Sequence, residues 1–177
     1  SQRLLSGRVD FTGHISGYLQ QPRWEAQVTG RRLKVGPLAF ETGRGEIVLD
    51  ATGWEVRDLE LTRPSGATYL ASGWVDAPDG LPPLIHLLVD VQGETLEEAL
   101  SLLGIRLVLP IVSGRVQGRA LVTGELKQPD GEIYLSVDDA QWAGRPTGLT
   151  VEMEVAGGQV RVKELQLGPP VQAGARG

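Results

Sequence analysis

Val151-Glu152-Met153-Glu154-Val155 sets three apolar residues on one parity and two carboxylates on the other. Gly45-Glu46-Ile47-Val48-Leu49-Asp50 alternates in the same way, with Gly45, Ile47 and Leu49 in phase. A period of two places alternate side chains on opposite faces of an extended chain, which predicts half-buried strands. The pattern recurs with Val9, Phe11, Ile15 and Leu19 on odd positions, and with Val116, Ala120, Val122 and Leu126 on even ones. The chain holds 24 Gly and 11 Pro, and these punctuate the runs at Gly36-Pro37, Gly53, Pro64, Pro78, Gly131, Gly157-Gly158 and Pro169-Pro170. Short alternating runs between such turn signals predict an all-β protein.

One segment departs from this period. Thr95-Leu96-Glu97-Glu98 has the form of a capping box, in which the Thr hydroxyl accepts from the Glu98 amide and Glu98 reaches back. Leu96, Ala99, Leu100 and Leu103 then share a helical face, and Gly104 suits the position after a helix end. A short helix near 95–103 is predicted, held by packing because two turns are not stable alone. It would plug or line a trough, or cover a strand edge.

The chain also repeats itself. Ser6-Gly7-Arg8-Val9 opens a run ending Gly17-Tyr18-Leu19-Gln20-Gln21-Pro22, and Ser113-Gly114-Arg115-Val116 opens one ending Gly124-Glu125-Leu126-Lys127-Gln128-Pro129. Later, Glu55-Val56-Arg57-Asp58-Leu59-Glu60-Leu61 parallels Arg161-Val162-Lys163-Glu164-Leu165-Gln166-Leu167. In both copies the apolar residues step by three, Val56 to Leu59 and Val162 to Leu165, where a strand steps by two. Such a slip is either a β-bulge or a short turn between two brief strands. The predicted organisation is a first β repeat over 1–93, a helix and extended linker over 94–112, and a second, truncated repeat over 113–177. Residues 1–5 read as the tail of an earlier linker, and 171–177 stop where the first copy runs on as 68–75, so a piece of a longer array is expected.

Composition narrows the function classes. The net charge of −5 disfavours nucleic acid, which demands a basic face. No cysteine is present, so disulfides, thiolate metal sites and thiol nucleophiles are excluded. The chain also lacks asparagine and has one methionine, Met153, as in thermophile proteins or in a GC-rich genome. No run is long and apolar enough to span a bilayer as a helix. His14 and His86 are the only histidines, and neither has ligand spacing. Asp138-Asp139 lacks a calcium-loop signature. No nucleophile elbow, phosphate loop or zinc-protease motif occurs, so no cofactor and no enzymatic activity are expected.

The Gly-x-Leu-x-x-Pro turns, the Ser-Gly-Arg-Val openings and the helix followed by Leu109-Pro110-Ile111-Val112 resemble the TamB/AsmA-like superfamily of repeating β-groove envelope proteins. The resemblance covers nearly the whole chain. It implies an elongated, curved antiparallel sheet forming a half-open groove. It also implies a periplasmic location, within an inner-membrane-anchored protein of a diderm bacterium. The implied role is phospholipid transport toward the outer membrane, with adjacent repeats and an outer-membrane protein as partners. The groove face would carry Val9, Phe11, Ile15, Leu19, Ile47, Leu49, Leu59, Leu61, Val122, Leu126, Met153, Val155, Leu165 and Leu167. The competing reading makes these residues the core of a closed sandwich or barrel. The four tryptophans, Trp24, Trp54, Trp74 and Trp142, would line the trough or sit at core and edge positions. A scaffold for outer-membrane β-strands and a plain β-repeat spacer are the functional alternatives.

Overall fold

A computed structural model describes residues 5–18, 20–35, 38–78, 80–102, 114–142, 144–157 and 159–168. They form one open antiparallel sheet of ten strands. The strands are β1 (Leu5–Tyr18), β2 (Gln21–Val35), β3 (Leu38–Leu49), β4 (Gly53–Thr62), β5 (Thr68–Asp76), β6 (Leu84–Thr95), β7 (Arg115–Glu125), β8 (Gln128–Trp142), β9 (Arg145–Ala156) and β10 (Gln159–Gly168). Each pairs with its neighbours in chain order, and β1 does not close onto β10. The all-β expectation holds. The closed-barrel reading does not, because β1 and β10 stand at opposite ends of the strand order and do not pair with each other. Among the described residues there is also no second sheet to complete a sandwich.

The internal repeat is structural as well. β1–β4 and β7–β10 correspond strand for strand, and β5 and β6 separate them. Both openings carry a glycine with positive φ, Gly7 at 134° and Gly114 at 151°, a region that L side chains avoid. Both Gly-x-Leu-x-x-Pro runs are two-residue hairpins, closed by Tyr18↔Gln21 and by Glu125↔Gln128. Leu126 therefore lies in the turn and not on the strand face, with its amide donating to the Pro83 carbonyl at 2.8 Å. Leu19 lies outside the described residues.

The slip of three is a bulge in both copies. β4 advances from Val56 to Leu59 while β5 moves only from Gly73 to Ala71. β10 advances from Val162 to Glu164 while β9 moves only from Met153 to Glu152. Asp58 takes the strained φ of 47° at the first of these, and its amide donates to Ser72 Oγ at 3.1 Å. Opposite it stands Gly45, where a Cβ would come within 2.8 Å of Leu59 Cα.

The helix α1 (Leu96–Leu102) links β6 to β7. The Glu98 amide donates to Thr95 Oγ1 at 3.3 Å, as a capping box requires. The Thr95 amide donates instead to Glu94 Oε1 at 3.1 Å, so Glu94 takes the backbone contact expected of Glu98. β6 and β7 pair with each other along their length, so α1 covers no strand edge. Its buried Leu96 and Ala99 pack in one cluster with Val116, Val137, Leu149 and Met153. The Leu100 side chain, Leu103, Gly104 and the linker over 104–112 lie outside the described residues.

Candidate functional site

Residues paired across an antiparallel ladder point to the same face. The registers can therefore be followed from edge to edge. Ile15 faces Trp24, Trp24 faces Leu49, Leu49 faces Trp54, and Trp54 faces Val75. Val75 then faces Ile85, which faces Gly124. Further along the same strands, Leu87 faces Val122, Val122 faces Gly131, Gly131 faces Val155, and Val155 faces Val160. One face is thus apolar over all ten strands. Val9, Phe11, Ile15, Ile47, Leu49, Leu59, Leu61, Val122, Met153, Val155, Leu165 and Leu167 all lie on it.

The opposite face is polar and laced with ion pairs. Arg57 bridges Glu55 at 2.7 Å and Glu46 at 3.2 Å, Arg119 holds Asp90 at 2.7 Å, and Lys163 holds Glu152 at 3.1 Å. His14 sits there beside Glu25 at 3.4 Å. His86 stacks on Trp74, with ring centroids 5.6 Å apart. Trp24 and Trp54 are on the apolar face, so the tryptophans divide between the two sides. Trp142 ends β8 at the register position facing Arg145.

The apolar face is unevenly covered. α1 packs against β6 and β7, and the buried cluster that holds its Leu96 and Ala99 extends to Met153, which has no exposed surface. A second buried cluster joins Leu33, Phe40, Ala67 and Tyr69, with the Phe40 and Tyr69 rings edge to face at 5.3 Å. Toward the strand ends and both edges the face is open. Phe11 is 75% exposed, Leu49 47% and Leu167 44%. Soluble monomers seldom leave a contiguous apolar patch of more than a few hundred Å² uncovered, so an open face of this kind marks an interaction surface.

A charged cluster stands at the foot of α1, on the apolar side. Glu94 faces Val116 in register and is fully buried. Arg63 Nη1 donates to Glu94 Oε2 at 2.7 Å, and the Tyr69 hydroxyl donates to the same oxygen at 2.6 Å. Arg63 Nη2 reaches Glu98 Oε1 at 3.4 Å. Burial opposes ionisation of Glu94, but hydrogen bonds from Glu98, Tyr69, Arg63 and the Thr95 amide outweigh it and hold its pKa below the ordinary value. The hydrogen bond shared with Glu94, then burial and the Glu94 charge, raise Glu98 above its ordinary value. Burial and then Glu94 push the Tyr69 phenol up.

This cluster had no sequence signature, since Arg63 and Glu94 stand 31 residues apart. The face residues of β6 and β8 were legible as alternation in Ile85-His86-Leu87 and Ile133-Tyr134-Leu135-Ser136-Val137. Among the described residues no three His, Asp or Glu side chains converge in a way that would hold a metal ion. No helix among them is long and apolar enough to cross a membrane. Comparison with known proteins adds no relative: no family model, no curated protein and no solved structure matches the chain.

Proposed function

We propose that the chain is a module of a lipid-conducting bridge, whose open apolar face carries phospholipid acyl chains across the periplasm. The observation that carries this reading is the single apolar face, continuous in register over ten strands and covered in part by one short helix. Each methylene that leaves water against such a face contributes about 0.8 kcal/mol. The contact is by area and is not directional, so acyl chains of differing length are accepted and headgroups are discriminated weakly. On this reading the protein belongs to an inner-membrane-anchored assembly of a diderm envelope and has no catalytic role. Adjacent repeats and an outer-membrane protein are its partners.

The test is in-cell photo-crosslinking. A photoreactive residue replaces Phe11, Leu49 or Leu167 on the open face, with Glu46 and Glu152 as positions on the polar face. Phospholipid adducts at the first three and not at the last two support the reading. Adducts at neither set remove it. Met153 is fully buried and is unsuited to this role.

A second reading rests on a different observation. β1 is 14 residues long and no strand among the described residues pairs with its outer edge, which suits a scaffold that templates outer-membrane β-strands by strand addition.

A further inference from the structure

The two copies of the repeat carry opposite charge at one place. Val9 faces Gly30 in the first copy and Val116 faces Val137 in the second, which aligns β2 with β8 residue by residue. The next two residues are Arg31-Arg32 in the first copy and Asp138-Asp139 in the second. Both pairs sit at a bulge. β2 advances from Arg31 to Lys34 while β1 moves only from Arg8 to Ser6, and β8 advances from Val137 to Ala140 while β9 moves only from Leu149 to Thr147. An extra residue in a strand re-aims the side chains beside it. Arg115, the counterpart of Arg8, lines one depression with Asp139, its opposite in charge. Arg8 instead faces Arg31 directly across the ladder, and like charges so placed repel.

Around Arg31 the polar face of the first copy gathers cations and hydroxyls. Arg31 faces Thr42, Thr42 faces Thr62, and in the adjacent row Thr29 faces Arg44. These groups line a depression of about 450 Å³. Two carboxylates share it. Asp10 lies 3.8 Å from Arg8 Nε, with both side chains largely exposed, and Glu60 Oε2 accepts from Nε and Nη2 of Arg44. Four guanidiniums, Arg8, Arg31, Arg32 and Arg44, therefore stand against two carboxylates in a chain whose net charge is −5. Among the described residues Arg31 and Arg32 have no ion-pair partner. The second copy keeps one of the four guanidiniums, since Thr150 faces Ser136 where Arg44 faces Thr29. We propose that the depression on the first copy is a binding site for a phosphoryl oxyanion, held by Arg31 and Arg32 with Arg8 and Arg44 beside them. A guanidinium stays charged and presents parallel N–H donors that match two phosphate oxygens. Arg32 holds φ 51°, a torsion that glycine adopts with less strain, so backbone geometry is not the reason for an arginine there. A lipid headgroup and a free phosphate share this chemistry. The site lies on the face opposite the apolar one, and the inference does not depend on the lipid-conduction reading.

The second copy supplies the variant that tests it. Arg31→Asp with Arg32→Asp installs the residues that the matching bulge of β8 carries, and circular dichroism checks that the fold is kept. Arg44→Thr, again the residue of the second copy, is a separate variant. Arg145→Asp with Arg161→Asp makes the same change of net charge within the second repeat. Calorimetric titration of the full 177-residue protein with inorganic phosphate is paired with sedimentation on vesicles of phosphatidylcholine, with and without phosphatidic acid. Loss of the charge-assisted hydrogen bonds is expected to weaken binding by at least about tenfold in the Arg31, Arg32 double variant. Arg44→Thr weakens it less, and the second-repeat variant leaves it unchanged. Phosphate binding without retention on phosphatidic acid vesicles identifies a free phosphate as the ligand. Retention on those vesicles alone, lost in the double variant, identifies a headgroup. The proposal is overturned if neither probe binds at millimolar phosphate, if the double variant and Arg44→Thr bind as the native protein does, or if the second-repeat variant weakens binding equally. None of these outcomes touches lipid crosslinking at Leu49, so failure of one proposal is distinct from failure of the other.

Discussion

The Tyr69 hydroxyl donates to Glu94 Oε2 over 2.6 Å on a sheet face where the register partners of both residues, Leu61, Val91 and Val116, are apolar. Arg63 completes the arrangement at 2.7 Å and neutralises the carboxylate. A buried ion pair is weak evidence for net stability, but removing one partner strands the other. Glu94→Gln is expected to cost about 3 kcal/mol, from the usual penalty for an uncompensated buried charge. The double change Arg63→Met, Glu94→Leu is expected to cost far less. Urea unfolding of the three proteins checks this, and equal losses in the single and double variants would refute it.

The two carboxylates at the foot of α1 titrate in opposite senses. Glu98 is raised in the folded protein, so the fold binds its proton more tightly than the unfolded chain does. Stability from this group grows as pH falls through the folded value of Glu98 and is fully present below its unfolded value. Glu94 is lowered, so its contribution is present above its unfolded value and is lost as pH falls through its folded value. The difference in melting temperature between the native protein and Glu98→Gln is therefore expected to shift in favour of the native protein on mild acidification. A difference that is flat with pH would show that Glu98 is not coupled to Glu94.

Covered and open parts of the apolar face should respond differently to truncation. Met153→Ala empties a fully buried site and is expected to cost about 2–5 kcal/mol. Leu167→Ala and Leu49→Ser touch exposed side chains and are expected to stay within about 0.5 kcal/mol of the native protein. The same two substitutions should lower lipid crosslinking at neighbouring positions. Comparable destabilisation at Met153 and Leu49 would mean that the open part is covered in solution.

Arg32 adopts φ 51°, a region that costs an L residue about 1–2 kcal/mol. Glycine there loses more chain entropy, by about 0.5–1 kcal/mol. Arg32→Gly is expected to stabilise the protein by about 0.5–1 kcal/mol, the difference between the two. Thermal unfolding measures it, and a fall in melting temperature would place the Arg32 side chain in a contact that matters.

Much of this architecture could be read from residue order alone. The step from Val56 to Leu59 located a slip of one residue, and the ladder makes it a bulge and not a turn, because a strand that changes parity while keeping its apolar face needs one extra residue. The glycine-proline runs located two hairpins, and Thr95 to Glu98 located the helix start. What escaped the reading was set by backbone torsion and not by side-chain type. Gly93, at φ 75°, shifts the register between Gln92 and Glu94, which brings the even-numbered Glu94 onto the face of the odd-numbered Val91. Arg32 has the same effect on Leu33, whose side chain packs over Gly30 and Gly43. Leu126 kept the parity of Val122 but fell beyond the last ladder pair. The cover over Met153 was hidden because periodicity reports which side a residue faces and says nothing of what lies above it.

The correspondence between β1 and β7 also fixes a length. Six strand spacings separate the two, and at about 4.8 Å each they advance the sheet by about 29 Å. A barrel must satisfy a closure condition and so comes in a few sizes. An open meander satisfies none. Gene duplication or loss of one such unit would change reach by a fixed step while leaving each contact inside the units as it was. The sheet is in that sense a ruler graduated in six-strand marks, and the distance it spans is a matter of counting.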